Sequence, residues 1–264
     1  MLMVVKKELK VMLLSIKYNI MKEMVNPLSF ILKVLFMMLN NSTFIIEWII
    51  LFTFKDSFGE YGFKEIMLFW GIASGTFGFS RLFFGGAYKI PEYVEEGKLD
   101  SYLVQPTNTL NGVITSYTSI SALGDLLYGI IIAFIFFHSL TDILLIILYI
   151  VTGGIIYTAY TVIVSCLAFK FTKVDDLARS IIELMLSFSI YPDSIYGEFL
   201  KIFFYTILPV GFMVFLPIKS ILDVNIIYIA IVIAFTIFIT LLSYIIFNRG
   251  LKSYSSTNLM TGRW

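Results

Sequence analysis

Long apolar segments constrain this sequence more than any other feature. A transmembrane helix needs about 20 predominantly apolar residues. Candidates occur at 28–54, 64–87, 116–138, 143–169, 176–192 and 225–247, of which the fifth is short. Hydrophobic residues make up 59% of the chain, against about 45–50% in soluble domains. The sequence therefore predicts an all-α integral membrane protein with six transmembrane helices, built as a single domain over residues 1–264.

A seventh apolar stretch, 199–218, differs from the six because Pro209, Gly211 and Pro217 interrupt it. Broken backbone is tolerated at membrane depth only where protein or a water-filled cavity covers it. We therefore predict an extracellular re-entrant region over 193–224, made of a hairpin of two short helices.

The two ends of the chain predict its orientation. In 1–27, apolar residues such as Leu9, Met12 and Ile16 recur at helical spacing with lysines on the other faces. That pattern is typical of an amphipathic helix on a membrane surface. The tail at 248–264 carries three basic residues and no acid. Placing both ends in the cytoplasm puts thirteen of the 19 Lys and Arg residues inside and four outside, as the positive-inside rule favours.

The segment 88–107 is polar although apolar sequence surrounds it. We predict one helix over 91–103, begun by Pro91, with apolar anchors at Tyr93, Leu99, Tyr102 and Leu103. A single base, Lys98, stands among four acids, namely Glu92, Glu95, Glu96 and Asp100. Because anionic lipid attracts basic segments, an acidic one favours a protein partner with a basic groove. A solvated acidic loop is the alternative.

Polar residues within the first predicted span share one helical face. Lys33, Asn40 and Glu47 are seven residues apart, and Thr43 joins their stripe. Ionisable groups at membrane depth usually face a bundle interior or a pathway, which makes Asn40, Thr43 and Glu47 candidates for a substrate pathway. In the alternative, Lys33 and Glu47 reach the two membrane interfaces.

Arg81, Asp125 and Glu183 are further charged residues embedded in predicted spans. Arg81 has three candidate partners, a lipid headgroup, a carboxylate or an anionic substrate. Arg179 can pair with Glu183 one turn later, whereas Asp125 needs a partner on another helix. Two stripes of small residues predict close helix packing, namely Gly71, Ser74, Gly75 and Gly78, and Gly154, Thr158, Thr161 and Ser165.

Several kinds of chemistry find no support in the sequence. There is no Gly-x-x-x-x-Gly-Lys-Ser/Thr phosphate loop, so the chain is not expected to bind ATP in the usual way. One cysteine, Cys166, and one histidine, His138, exclude Cys- or His-based metal clusters within the chain. A net charge of +1 gives no basic field for nucleic acid. We expect no catalytic, metal-binding or cofactor-binding residues, and therefore no enzyme activity.

The run EGKLDSYLVQP at 96–106 resembles the cytoplasmic loop of type-2 ABC transporter permeases, which carry a Gly-basic-Leu-Asp pattern followed by a proline. Three other stretches resemble one branch of that class, in order along the chain: 121–127, a hairpin region matched at 191–192, 195–196, 208–212 and 216–217, and 249–256. Gln105 stands where the class usually has arginine.

This resemblance implies a permease subunit of an ATP-driven exporter in the bacterial cytoplasmic membrane. It implies a dimer with a second copy or a paralogous permease, surrounded by lipid, with the substrate passing between the two subunits. Separate ABC ATPase subunits would bind ATP and Mg beneath it. The residues expected to couple the two proteins are Glu92, Tyr93, Glu95, Glu96, Gly97, Lys98, Leu99 and Asp100.

Two other classes of function stay open at this point. A proton- or ion-coupled secondary transporter would use Asp125, Glu183 and Glu47 as coupling sites, although such folds usually carry an internal repeat and none is evident. A membrane scaffold or self-protection protein would transport nothing. The substrate is also open, with lipid, peptide, antibiotic and sugar polymer all compatible with the sequence.

Overall fold

The computed structural model describes residues 2–255, and over that range every regular element is a helix apart from one isolated β-bridge between Phe58 and Tyr61. The prediction of an all-α chain is confirmed. Three 3₁₀ segments, Gly85–Lys89, Cys166–Phe169 and Asp193–Ile195, and a π-helical segment, Gly211–Phe215, join the α-helices. In chain order, these are α1 Leu2–Glu23, α2 Pro27–Phe54, α3 Phe63–Phe84, α4 Ile90–Glu95, α5 Asp100–Leu103, α6 Thr109–Ile114, α7 Ser121–Phe136, α8 Leu140–Ser165, α9 Asp175–Ser189, α10 Glu198–Thr206, α11 Leu216–Asp223 and α12 Ile226–Leu251.

Four helical stretches among these residues are long and apolar enough to cross a membrane: Pro27–Phe54, Phe63–Glu95, Leu140–Phe169 and Ile226–Leu251. A fifth is present if Glu198–Thr206 and Gly211–Asp223, which are bent by 90°, count as one span. Helices α7 and α9 have 16 and 15 residues. They rise only about 24 and 22 Å, less than a bilayer core of roughly 30 Å. The count of six spans and the orientation stay predictions.

Asparagine side chains fix where several helices begin. In α2, α6 and α12 the residue before the helix is an asparagine whose Oδ1 accepts a hydrogen bond from a backbone amide of the first turn, which satisfies a donor that has no partner within the helix. The pairs are Asn26 with Ser29 at 3.1 Å, Asn108 with Asn111 at 3.2 Å, and Asn225 with Ile227 at 2.9 Å.

The centre of the molecule is α3, which is buried against α7 and α8 along most of its length. A Cβ added at Gly78 would lie 2.3 Å from the Leu126 nitrogen, and one at Gly129 would lie 2.5 Å from the Gly71 oxygen. Only glycine allows backbones to approach this closely. The packing role predicted for the small residues of the second span is therefore confirmed.

The α3–α8 contact confirms the second small-residue prediction in the same way. A Cβ at Gly154 would lie 2.4 Å from the Phe79 ring. The hydroxyls of Ser80 and Thr158 form a hydrogen bond of 2.7 Å across the two helices.

One end of the bundle gathers the short helices and the ends of several long ones. The ring of Phe169, after α8, packs against Phe247 of α12 at 5.7 Å between ring centroids. Glu8 of α1 accepts a hydrogen bond of 3.0 Å from the Asn108 amide. Residues 85–104, which we call the short-helix segment, pack into the same cluster through Ile90, Val94 and Leu99.

The opposite end is held by three residues that we call the polar clamp, Tyr61, Asp193 and Lys219. Tyr61 donates a hydrogen bond of 2.7 Å to Asp193, and Lys219 forms an ion pair of 2.7 Å with the same carboxylate. Asp193 is only 6% exposed. Burial, together with the Asp193 carboxylate, raises the pKa of Tyr61 above its usual value. Since Asp193 precedes α10 and Lys219 lies in α11, both flanks of the bent pair are at one end of the bundle.

Helix α1 exposes apolar side chains and is also hydrogen-bonded to the bundle. In α1, Leu9, Leu13 and Tyr18 are exposed, while Ser15 and Asn19 donate hydrogen bonds of 2.7 and 3.0 Å to the Thr115 carbonyl after α6. The helix predicted over 1–27 is present as α1, and its place at a membrane surface stays a prediction. At the other end, α12 continues to Leu251, so the tail predicted over 248–264 begins later, and its residues 256–264 lie outside the described range.

Candidate functional site

A cleft opens on the side of the bundle between α2, α3 and α9, and we call it the lateral cleft. Its first chamber has a volume of about 250 Å³ and contains Asp125; its second has about 330 Å³ and contains Arg81. Phe77, Leu186 and Ser187 line both chambers, so the two adjoin. Asn40, Glu183 and Ser187 are exposed and mark the open side.

Asp125 is the deepest charged residue of the cleft, at 2% exposure. Its Oδ1 accepts a hydrogen bond of 2.7 Å from Asn41, and its backbone carbonyl accepts one of 3.0 Å from Ser74. Its other carboxylate oxygen, Oδ2, is buried and has no hydrogen-bond partner among residues 2–255. The expectation that Asp125 finds a partner on another helix is confirmed, and the partner is an amide rather than a base.

Arg81 lies at the other end of the cleft among aromatic rings. Its guanidinium is 3.8 Å from the ring centroid of Tyr88 and 5.6 Å from that of Phe77. Within the described chain no carboxylate is within ion-pair distance of it. Stacking on aromatic rings stabilises a guanidinium without neutralising it, so its charge is available to a ligand.

The polar stripe predicted on the first span is split by the structure. Asn40 lines the Asp125 chamber, whereas Thr43 and Glu47 are exposed on α2 and are not among the residues that line it. Thr43 donates its hydroxyl hydrogen to the Asn40 carbonyl at 2.6 Å. Lys33 forms an ion pair of 2.6 Å with Glu23 near the end of α1.

The sequence reasoning missed Asn41, which contacts Asp125 directly. The buried residues of α2 are Val34, Asn41 and Trp48, which are again seven residues apart and lie next to the predicted stripe. A signal was present, because an asparagine that shares a stripe with valine and tryptophan is on the apolar, packed face of its helix.

The pairing expected between Arg179 and Glu183 is wrong. Arg179 Nε instead contacts Asp175 at 2.8 Å, one turn earlier in α9. An acid at the N-terminal end of the turn with its base four residues later is the better orientation on a helix. Glu183 forms no ion pair with Arg179 and lines the Arg81 chamber.

The three acids of the secondary-transporter alternative lie in three different settings. Asp125 is buried, Glu183 is on the open side of the cleft, and Glu47 is exposed on α2.

The short-helix segment is not the single helix expected over 91–103. The predicted range instead forms α4 and α5, which are separated at Gly97, whose φ is +70°. Glycine adopts this left-handed conformation without the steric penalty of a side chain. The break turns the chain so that Leu99 is fully buried under α4.

Burial changes which residues of this segment are able to meet a partner. Leu99 is a packing residue, so the expectation that it anchors a partner is wrong. Tyr93 stacks on Tyr102 at 5.8 Å and its hydroxyl is 3.1 Å from Ser116 Oγ. The apolar side chains exposed here are Leu103, at 46%, and Val104, at 83%, and the sequence analysis missed the second.

The acids of the segment are partly neutralised by neighbouring bases. Glu92 forms ion pairs with Lys89 at 3.1 Å and with Lys98 at 2.9 Å, and Lys98 also pairs with Glu96. The carboxylates of Glu96 and Glu92 raise the pKa of Lys98. Because the lysine and Glu96 are half exposed, these pairs are open to exchange with another charged surface.

A further groove, about 280 Å³ in volume, lies between α6, α8 and α12 and is almost wholly apolar. Its hydroxyl groups are satisfied by their own helices, as in Thr240, which donates to the Thr236 carbonyl at 2.7 Å, and Ser243, which donates to the Thr240 carbonyl at 2.8 Å. It offers little that would recognise a polar ligand, in contrast to the lateral cleft.

Long apolar helices define a multi-pass membrane protein, and a polar cleft opens on the side of its bundle. Comparison with protein families agrees, since the family model described as ABC-2 family transporter protein matches residues 36–258. The chain belongs to this family, whose type-2 permeases it was expected to resemble. Comparisons with curated proteins and with solved structures gave no match.

Proposed function

We propose that this chain is the permease subunit of an ATP-driven exporter in the bacterial cytoplasmic membrane. The lateral cleft is the observation that carries the proposal. Asn40, Glu183 and Ser187 are exposed there, on a flank where α2 otherwise exposes apolar side chains such as Ile31, Leu35 and Leu39. Polar groups at membrane depth are costly against lipid and usually face protein or a water-filled cavity.

A second permease, either identical or paralogous, would cover this flank. The cleft would then become part of a substrate pathway between two subunits, with Asn40 on its wall. This supports the role predicted for Asn40 and leaves Thr43 and Glu47 on the flank beside it. A cysteine at Ser187 in a Cys166→Ser background tests the arrangement. We expect disulfide-linked dimers from Ser187→Cys and none from Ile237→Cys, on the exposed face of α12.

The short-helix segment is the proposed docking surface for a separate ATPase subunit that binds ATP and Mg. It presents exposed Glu96, Asp100, Leu103 and Val104. An apolar anchor ringed by charge that complements the partner is the usual composition of a modest interface. Glu92, Tyr93, Glu95 and Leu99 would shape this surface from within.

We also propose that 193–224 is re-entrant and that both chain ends are cytoplasmic. The polar clamp supports this, because it joins the two flanks of the bent pair at one end of the bundle. Single cysteines at Ser194, Asn225 and Ser253 in the Cys166→Ser background test it with an impermeant thiol reagent applied to intact cells. The first two should react and the third should not. Labelling of Ser194 and Asn225 from opposite sides would contradict the hairpin.

The experiment that tests the function is purification of the tagged full-length chain from its own cells in a mild detergent. We expect a co-purifying protein that carries a phosphate loop, with ATP hydrolysis in the complex. The outcome against the proposal is a chain that purifies without an ATPase. Transport that stops when a proton gradient is dissipated, with ATP retained, would instead favour an ion-coupled transporter.

A further inference from the structure

The lateral cleft holds a carboxyl group at one end and a guanidinium at the other, and neither forms an ion pair within the described chain. At one end, Asp125 is only 2% exposed, and its Oδ2 has no hydrogen-bond partner in the described chain. At the other end, Arg81 stacks on Tyr88 and forms no ion pair there. Unpaired charges in a low-dielectric setting cost free energy that a ligand of matching charge recovers.

The Asp125 chamber has the chemistry of an ammonium site. Its carboxylate oxygen is a free acceptor, and Asn40, Asn41 and Ser74 line the same space. The rings of Phe44 and Trp70, whose centroids are 3.9 Å apart, also line it. A carboxylate beside aromatic rings favours an organic cation, through both a charge-assisted hydrogen bond and cation–π contact.

The Arg81 chamber, by contrast, favours an anionic group. A guanidinium presents several donors in a planar fork that matches carboxylate and phosphate groups. Glu183 lines this chamber but is exposed on its open side, and it does not pair with Arg81. Phe77 and Leu186 contribute apolar walls to both chambers, and they would contact the apolar part of a ligand.

We propose that the lateral cleft binds a zwitterionic amphiphile whose ammonium group contacts Asp125 and whose phosphate or carboxylate contacts Arg81. A simple cation would leave Arg81 unpaired and be repelled by it, and a simple anion would meet the same difficulty at Asp125. Only the statement that this molecule is the transported substrate rests on the proposed function. Binding itself requires no ATPase.

Four probe molecules separate the contribution of the ligand's charges from that of its acyl chains. They are dihexanoyl phosphatidylethanolamine, which is zwitterionic; dihexanoyl phosphatidylglycerol, which is anionic; dodecylammonium, which is cationic; and glycerophosphoethanolamine, which is zwitterionic without acyl chains. Each is titrated into the full-length permease in an uncharged detergent, and tryptophan fluorescence is followed because Trp70 lines the Asp125 chamber. We expect the zwitterionic lipid to bind at least about tenfold more tightly than either singly charged probe.

Two variants assign the charges. Asp125→Asn should remove the preference over the anionic probe, and Arg81→Gln should remove the preference over the cationic probe, each by about tenfold. Asp176→Asn and Arg179→Gln, on the exposed face of α9, are matched controls that should bind as the wild type does. Arg81→Gln keeps the test open if Asp125→Asn fails to fold.

The outcomes are distinct. Tighter binding of the acylated zwitterion supports an amphiphile, whereas equal binding of the two zwitterions would contradict that part of the inference, because the acyl chains would then contribute nothing. An anionic or cationic probe that binds as tightly as the zwitterion would overturn the inference, as would wild-type preferences in both variants. Either result leaves the proposed function standing if an ATPase co-purifies, whereas a permease without an ATPase defeats that function whichever probe binds.

Discussion

The two ends of the molecule use charge in opposite ways. In the short-helix segment, Lys98 pairs with Glu92 and Glu96, which are close in sequence, and the lysine is half exposed. In the polar clamp, by contrast, the buried carboxylate of Asp193 joins Tyr61 and Lys219 from remote parts of the chain.

This difference separates a surface suited to exchange from one suited to holding structure. Exposed ion pairs between near neighbours contribute little to stability, so the short-helix segment loses little when its pairs are replaced by contacts to a partner. A buried carboxylate with two partners is costly to disrupt, because the partners are left unsatisfied. We therefore expect variants at the first end to change association and variants at the second to change stability.

The largest effect should follow from reversing charge in the short-helix segment. Glu96→Lys with Asp100→Lys should weaken ATPase association by about 100-fold, because like charges placed across an interface cost several kcal/mol. Both residues are exposed, so the unfolding temperature should hold. Co-purification at a series of salt concentrations measures the effect. Glu198→Lys, an exposed acid at the opposite end, is the matched control, and an equal loss in that variant would contradict the comparison.

The second effect concerns stability at the polar clamp. Asp193→Ala removes the acceptor of the buried Tyr61 hydroxyl and the counter-ion of Lys219. We expect a loss of about 2 kcal/mol, the partly exposed lysine adding less than a buried one would. Thermal unfolding in detergent measures it, and Glu198→Ala should leave the midpoint unchanged. The clamp would be shown to be dispensable if both variants unfolded at the wild-type temperature.

The long helices were predictable because their signal is local. An apolar run between Asn26 and Lys55 is set by hydropathy and by a capping asparagine, and the observed α2 agrees with the predicted 28–54 within a residue. The bend after α10 was predictable for the same reason, since Pro209 and Gly211 interrupt the run. The predicted 176–192 is close to α9, whereas the predicted 116–138 is longer than α7, mainly because the helix begins only at Ser121, after the polar run at 116–119.

The cleft was predictable only in part because it depends on contacts between helices. The seven-residue spacing of polar residues on α2 pointed to Asn40. Whether Asn40 or its neighbour Asn41 contacts Asp125 depends on where α3 and α7 pack against α2. In α9, the same four-residue spacing relates Arg179 to Asp175, in the orientation that a helix favours, so this pair could have been predicted from the sequence. Asp125 was found as an embedded acid, whereas its distance from Arg81 is a property of the folded bundle.

Gly97 forms the turn between α4 and α5 in the short-helix segment. Gly97→Ala places a Cβ at a φ of +70°, which costs about 1–2 kcal/mol for a non-glycine residue. We expect a loss of stability near 1 kcal/mol together with weaker ATPase association, since the turn sets the position of α5. Gly197→Ala, where a Cβ would meet open space, is the control. A substitution at Gly97 without effect on either quantity would mean that the turn is not needed.

The smallest effect is expected from Lys98→Met, and it tests whether the acids of the segment face a basic partner. The nearby carboxylates raise the pKa of Lys98, so the charge and the pairs it forms are fully present below the ordinary lysine pKa of about 10.4 and are lost only above it. Between about pH 6 and 9 the variant should therefore unfold with the same pH dependence as the wild type.

Removing the lysine leaves Glu92 and Glu96 unneutralised, which should strengthen ATPase association about twofold to fivefold at low salt. Screening should reduce this effect at high salt. Lys201→Met, at the opposite end, should change nothing. Weaker association in Lys98→Met would show that the lysine itself contacts the partner, and would contradict a partner surface that is basic throughout.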